Sequence, residues 1–245
     1  YFIRIYGDPI GVYMTDRDPD EFPTPTLRRL DPTHATNPLD GVAITLAGPP
    51  VLEANGLAKS PMTGELFALL TLQGQATQQL VTIDPVTGIA TSIGDTTGNH
   101  VADLAFSADG TLYAVTTFQE TSLNTEALYT LDTATAAPTF VMNLSVTGEF
   151  GNAIAFNPVD GHLYRMAGDV GAPDDRRLEA IDLDTLNVTD IPLTFNDSYD
   201  FIEGMTVDPL TGNILAGAAD GDLYSITTDA IPPTTPGLVD RVVDT

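Results

Sequence analysis

Apolar residues fall in short runs along the chain, and each run is broken by Pro, Asp, Thr or Gly within a few positions. Residues Leu80–Gly94 read LVTIDPVTGIATSIG, an apolar strand, a turn and a second apolar strand. The same hairpin pattern occurs in GLAKSPMTGELFAL from Gly56, DLAFSADGTLYAV from Asp103, AIAFNPVDGHLYRM from Ala153 and GMTVDPLTGNILAG from Gly204. These starts lie 47, 50 and 51 residues apart. Proline presets φ in the turn and glycine takes the position with positive φ, so each segment predicts a hairpin on chemical grounds.

A second hairpin follows in every unit. It reads LVTIDPVTGIATSIG, LYTLDTATAAPTFVM from Leu128, LEAIDLDTLNVTDIPL from Leu178 and a decayed LYSITTDAIPPTTPGLVDRVV from Leu223. Upstream, FIRIYGDPIGVYMTD and LRRLDPTHATNPLDGVAITLAG supply both hairpins of a first unit. Five units of 49 residues tile the 245-residue chain, at about 1–50, 51–97, 98–147, 148–198 and 199–245. Four short antiparallel strands at this period predict one all-β domain, a β-propeller of five four-stranded blades. A lone four-stranded sheet leaves both faces in water, whereas radial stacking buries them and exposes only short edges. The opening YFIRIYGD fits an innermost strand of the first blade or a strand that closes the ring against the last one.

The phrases AIAFNPVDGHLY, LVTIDPVTG and LYTLDTATA resemble the repeats of secreted bacterial propellers related to the NHL and YncE-like groups, which run LAFxPxTGxLYAV…LYxIDPxTGxxTxIG. The resemblance spans nearly the whole chain and implies a propeller, while leaving activity open.

Charge narrows the partners. Against 34 acidic residues stand nine basic ones, for a formal net charge of −25, and Lys59 is the one lysine. Such a surface repels nucleic acid and anionic membranes, and no apolar run is long enough to span a bilayer. It favours solubility, calcium binding or life in salty water. With no cysteine, disulfides, thiolate zinc sites and cysteine nucleophiles are excluded. The chain begins at Tyr1 rather than Met, which is read as a trimmed form or a fragment. The sequons at Asn143, Asn187 and Asn196 matter only where secreted proteins are glycosylated.

In a propeller the innermost strands line the axis, and their leading ends form a ring. The repeat alignment places Asn55, Ala102, Asn152, Glu203 and Ile3 in that ring, with Asp103 one residue beyond Ala102. Three oxygen donors in a ring suit Ca²⁺. EANGLAKSP and FIEGMTVDP also resemble metal-site strands of the gluconolactonase and senescence-marker propellers. That resemblance implies Asn55, Asn152 and Glu203 as ligands of a divalent ion that polarises a lactone carbonyl, with Asp103 a base or fourth ligand. By its place near the ring entry, His100 is a further candidate base beside Asp103. The alternative is that these groups cap strand ends.

Elsewhere the chemistry is thin. The acidic loops 16–25 (Asp16, Asp18, Asp20, Glu21) and 168–177 (Asp169, Asp174, Asp175) lack the spacing of a calcium loop, and Asp182 and Asp184 sit where aspartate bonds its own turn. His34, His100 and His162 occupy non-equivalent places, and His162 is expected on the surface. Tyr113, Tyr129, Tyr164 and Tyr224 repeat with the blade and are expected in packing. The reading that follows is a secreted or cell-surface, calcium-stabilised, non-catalytic propeller. It would bind an extracellular protein or glycan, mediate adhesion, or assemble with copies of itself. The rival is a metal-dependent lactonase or esterase working at the ring.

Overall fold

The structure is a computed structural model and describes residues 12–16, 24–30, 41–96, 100–116, 126–144, 153–167, 177–195, 202–208, 212–218, 223–227 and 237–243. All regular elements among them are strands. Strands β4 (Val51–Lys59), β5 (Leu66–Leu72), β6 (Gln78–Ile83) and β7 (Ala90–Asp95) form one antiparallel sheet in sequence order. The next sheet holds β8 (Val101–Phe106), β9 (Leu112–Thr116), β10 (Ala127–Leu131) and β11 (Pro138–Asn143). A third holds β12 (Ile154–Phe156), β13 (His162–Ala167), β14 (Arg177–Asp182) and β15 (Val188–Phe195). The last holds β16 (Ile202–Val207), β17 (Ile214–Ala218), β18 (Leu223–Ile226) and β19 (Gly237–Val243). Their first strands lie beside one another in the order β4, β8, β12, β16. This is a β-propeller.

Two details differ from the fivefold reading. The first unit contributes a three-stranded sheet, β1 (Val12–Asp16), β2 (Thr26–Leu30) and β3 (Val42–Ala43), so four blades rather than five have four strands among the described residues. The stretch read as its inner strand, with Ile3, lies outside those residues. The outer strands β15 and β19 also pair in parallel, Leu193 opposite Gly237 through Phe195 opposite Val239, which joins the last two blades into one eight-stranded sheet. The period-2 pattern predicts strands and their faces. It does not say which edge meets which.

Side-chain alternation builds the core. On β5, Leu66, Ala68, Leu70 and Leu72 pack with Leu27, Ile44 and Val51 on the first-unit side, whereas Phe67 and Leu69 pack with Leu104, Leu112 and Ala114 of the next blade. Successive Cβ atoms point to opposite faces of a strand, so a strand covered on both sides reads as the continuous apolar run LFALLTL. The same layering recurs between the second and third four-stranded blades (Val115, Leu128, Ile154, Leu163) and between the third and fourth (Tyr164, Leu178, Met205, Ile214). Truncating a fully buried leucine such as Leu69 in such a layer costs about 2–5 kcal/mol. Half of the residues of outer strands β7 and β11 are exposed, so burial falls from the axis to the rim.

The turns carry the chemistry expected of them. In 84–88, Asp84 Oδ1 accepts the amides of Val86 and Thr87 at 2.8 and 3.1 Å, and Gly88 N–H closes the loop on the Asp84 carbonyl at 2.8 Å. Gly88 needs its φ of +71°, and a Cβ there would lie 2.3 Å from the Ala43 carbonyl oxygen. That close approach is a seam, because Thr45 N–H donates to Gly88 O and Ala90 N–H donates to Thr45 O. The equivalent turns of the next two blades put Ala136 and Leu186 in the same left-handed conformation, at φ 62° and 57°.

Candidate functional site

The inner strands are irregular where the sequence places the ring. Pairing slips between Asn55 and Leu57 on β4, between Val101 and Asp103 on β8, and between Ile202 and Gly204 on β16. Such bulges re-aim side chains at a barrel rim or site. Asn55 is 5 % exposed and its Oδ1 accepts no hydrogen bond among the described residues. A buried acceptor without a donor is costly and invites explanation by a ligand or water. Glu203 sits at the β16 bulge, and its side chain lies outside the described residues, as does all of Asn152. Ala102 is the unpaired residue of the β8 bulge and supplies no donor oxygen from its side chain.

Asp103 has a definite employment. It is 1 % exposed; its Oδ1 accepts Leu104 N–H at 2.7 Å and its Oδ2 accepts Ile154 N–H at 2.8 Å. The carboxylate therefore clamps inner strand β8 to inner strand β12. Charge-assisted bonds of this kind are stronger than neutral ones. His100, the base read beside it, stands exposed ahead of β8.

The remaining candidates separate similarly. Asp182 Oδ1 accepts the amides of Asp184 and Thr185 at 2.9 and 3.0 Å, and the Thr185 amide first of all holds its carboxyl below the usual range. His162 is half-buried rather than on the open surface, with Nδ1 3.0 Å from the Asp160 carbonyl. Tyr164 and Tyr224 are buried, and burial foremost pushes the Tyr164 hydroxyl upward while it donates to Asp160 Oδ2 at 2.9 Å. Asp18, Asp20, Glu21, His34, Asp169, Asp174 and Asp175 lie outside the described residues. Among the described residues no three His, Asp or Glu side chains converge on a point that could hold a metal.

One charged cluster was not anticipated from the sequence. Arg165 on β13 is fully buried, donating Nη1 to Glu179 Oε2 at 2.7 Å and Nη2 to Glu126 Oε2 from the preceding blade. Arg177 Nη2 lies 3.6 Å from the other Glu179 oxygen. Burial lowers the Arg165 guanidinium from its usual range, opposed by the charge of Glu179. A signal did exist. In the aligned hairpins Arg165 stands where Ala68, Ala114 and Ala216 stand, and Glu179 where Val81, Tyr129 and Tyr224 stand. The two departures are cross-strand partners in the β13–β14 register.

The trailing ends of the inner strands line an open pocket of about 280 Å³. Leu57–Lys59, Leu104–Phe106, Ile154–Phe156 and Met205–Val207 line it among the described residues, equivalent triplets of four repeats. It begins two residues beyond Asn55 along β4 and runs to the turns at Pro61, Ala108 and Pro158.

Sheets radiating from such an axis define the class, a β-propeller. No family model and no curated protein sequence matches the chain. Among solved structures, the fold is similar to the major Malassezia sympodialis allergen Mala s 1, with TM-score 0.60 and 13% identity over 97% of this chain and 77% of that one. It is similar to a Xanthomonas campestris gluconolactonase, with TM-score 0.55 and 16% identity over 88% and 68% of the two chains. It is also similar to TolB from Acinetobacter baumannii, with TM-score 0.57 and 19% identity over 98% of this chain and 55% of that one. At these identities the likeness is one of fold. No helix among the described residues is long and apolar enough to cross a membrane.

Proposed function

We propose that this chain is a non-catalytic binding propeller of the extracellular space or cell surface, calcium-stabilised, that presents a rigid face to a protein or glycan or to further copies of itself. The observation that carries this reading is Asp103. The carboxylate best placed to act as a base at the ring is buried and spent on two backbone amides that hold the inner strands together. An acidic surface and rigid interblade layers suit a scaffold that recognises without reacting. Sedimentation of the purified chain with calcium and with chelator tests it. A calcium-dependent gain in stability or in assembly is expected, and a strict monomer indifferent to calcium, with no glycan or protein ligand, would overturn it.

A second reading rests on Asn55. Its unpartnered, buried Oδ1 is a free acceptor of the kind a divalent cation takes, and Asn152 and Glu203 are its neighbours in the repeat alignment. Such an ion would act as a Lewis acid toward a lactone or ester carbonyl, the activity named for the Xanthomonas relative. Metal-dependent lactone hydrolysis that disappears in Glu203→Gln would establish this reading over the first.

A further inference from the structure

We propose that the end of the propeller formed by the inner and outer hairpin turns is a docking face for a basic amphipathic polypeptide, one that presents leucine-like side chains flanked by lysine or arginine. The inference rests on the binding reading above, to which it adds the face and the chemistry of the partner.

The strand order places the turns. In a four-stranded antiparallel blade the first and third connections lie at one end and the second at the other. Turns 60–65, 84–89, 107–111, 132–137, 157–162 and 182–187 therefore share an end. There Met62, Val86 and Val159 are 71 %, 80 % and 66 % exposed, and Ile89, Leu186 and Val188 also reach solvent. Met62, Val86 and Val159 hold the same place in their turns, two residues after Ser60, Asp84 and Asn157. Each donates its own N–H to that earlier side chain, at 3.3, 2.8 and 2.9 Å. Neighbouring tips also touch. Met62 leans over Gly110 of the next blade, where a Cβ would meet its Cγ at 2.7 Å. Val159 lies against Gly212, whose carbonyl accepts Asn157 Nδ2 at 3.1 Å. The apolar knobs are thus fixed before any partner arrives, and a preformed surface binds without the cost of ordering itself. Apolar groups exposed together within a polar surround mark an interaction surface.

Charge selects the partner. Those six turns carry seven carboxylates, one in each of five and two in 182–187, and no lysine or arginine, with Lys59 one residue ahead of the first. Asp84, Asp132 and Asp182 hold equivalent places in the outer turns, and each accepts two turn amides through Oδ1. These bonds, led by the amides of Val86, Ala134 and Thr185, keep the three carboxyls below their ordinary range. The knobs therefore stand among fixed negative charges. A second copy of this face or an anionic membrane would set like charges against them, whereas a lysine or arginine beside an apolar anchor complements both features.

The test is fluorescence anisotropy of a dye-labelled leucine–lysine peptide, patterned as an amphipathic helix, titrated with the full chain. Three more peptides are compared: the same composition scrambled, the leucine–glutamate counterpart, and oligolysine. Saturable one-to-one binding of the patterned peptide is expected, about tenfold tighter than that of the scrambled peptide or oligolysine, with none for the glutamate counterpart. Met62→Ser, Val86→Ser and Val159→Ser together should weaken the patterned peptide by about tenfold and leave oligolysine unchanged. Should the triple variant fail to fold, Val86→Ser decides by the same comparison, with a loss of about threefold. Equal affinity for the patterned and scrambled peptides, binding of the glutamate counterpart, or an unchanged affinity in the serine variant would each overturn the proposal. So would a dimer, or attachment to anionic vesicles, that the serine variant abolishes, since either gives the face to another occupant. If no peptide binds while the chain still gains stability or assembles with calcium, this inference alone fails and the binding reading stands.

Discussion

Replacing Arg165 by methionine tests whether a buried charge network ties two blades together. In the folded chain the guanidinium lies between Glu179 on the neighbouring strand and Glu126 from the preceding blade, and all three side chains are essentially inaccessible to water. Arg165→Met keeps the volume and the apolar stem but takes the cation from two buried carboxylates. Removing one member of a buried pair costs about 3–5 kcal/mol, since the surviving charge keeps its desolvation penalty and loses its compensation. Each kcal/mol moves the midpoint of a domain of this size by roughly 2–4 °C, so the melting temperature should fall by about 6–20 °C. Urea unfolding followed by far-UV circular dichroism and by the fluorescence of the eight tyrosines provides the assay. The triple variant Glu126→Leu, Arg165→Met, Glu179→Leu should recover most of the loss, as apolar replacement of a whole buried network is often neutral. A loss below about 1 kcal/mol in Arg165→Met, or a triple variant as unstable as the single one, would refute the reasoning.

Three further outcomes follow from the turns. Gly88→Ala should cost clearly more than Gly74→Ala in chemical denaturation, because both glycines have positive φ, near 71° and 77°, but only the first Cβ collides, with the Ala43 carbonyl; the second should cost about 1 kcal/mol of backbone strain alone. Leu186→Gly should stabilise by up to about 1 kcal/mol, since Leu186 is 38 % exposed and holds φ at 57°, a conformation that costs most L-residues about 1–2 kcal/mol. Turn aspartates Asp84 and Asp132 are held below their ordinary value of 3.8, chiefly by the amides of Val86 and Ala134. A carboxyl lowered in the folded state contributes stability above its unfolded value and loses it as pH falls through the folded one. Melting temperature should therefore drop as pH goes below about 4, with a shallower slope in the Asp84→Asn, Asp132→Asn double variant, where the amide oxygen still accepts the turn bonds.

The leading-end ring was partly legible. Repeat alignment put Asn55 and Asp103 on inner strands, where both are found buried. It could not distinguish a carboxylate open to solvent from one clamped between Leu104 and Ile154 amides, because the second donor comes from a residue 51 positions away. The trailing pocket was illegible for the same reason. Each lining triplet reads as ordinary apolar strand, and the space exists only where four of them face a common axis.

By itself the sequence determined the strands, the hairpin turns and the stacking of sheets. Apolar alternation with a period of two fixes which side chains leave each face, and the Asp-Pro-x-Thr-Gly chemistry fixes where the chain reverses. Those signals are local and are repeated several times along the chain. Tertiary structure alone decided the polar contacts between blades, each made by a different group: Thr15 Oγ1 to Ala54 O, the Gln78 amide to both backbone groups of Val101, Asp103 to Ile154, Arg165 to Glu126, and Asn157 Nδ2 to Gly212 O. A repeat specifies its own hairpins through neighbours in sequence. What joins it to the next repeat depends on side chains whose partners are brought near only by folding, and these have no period to read.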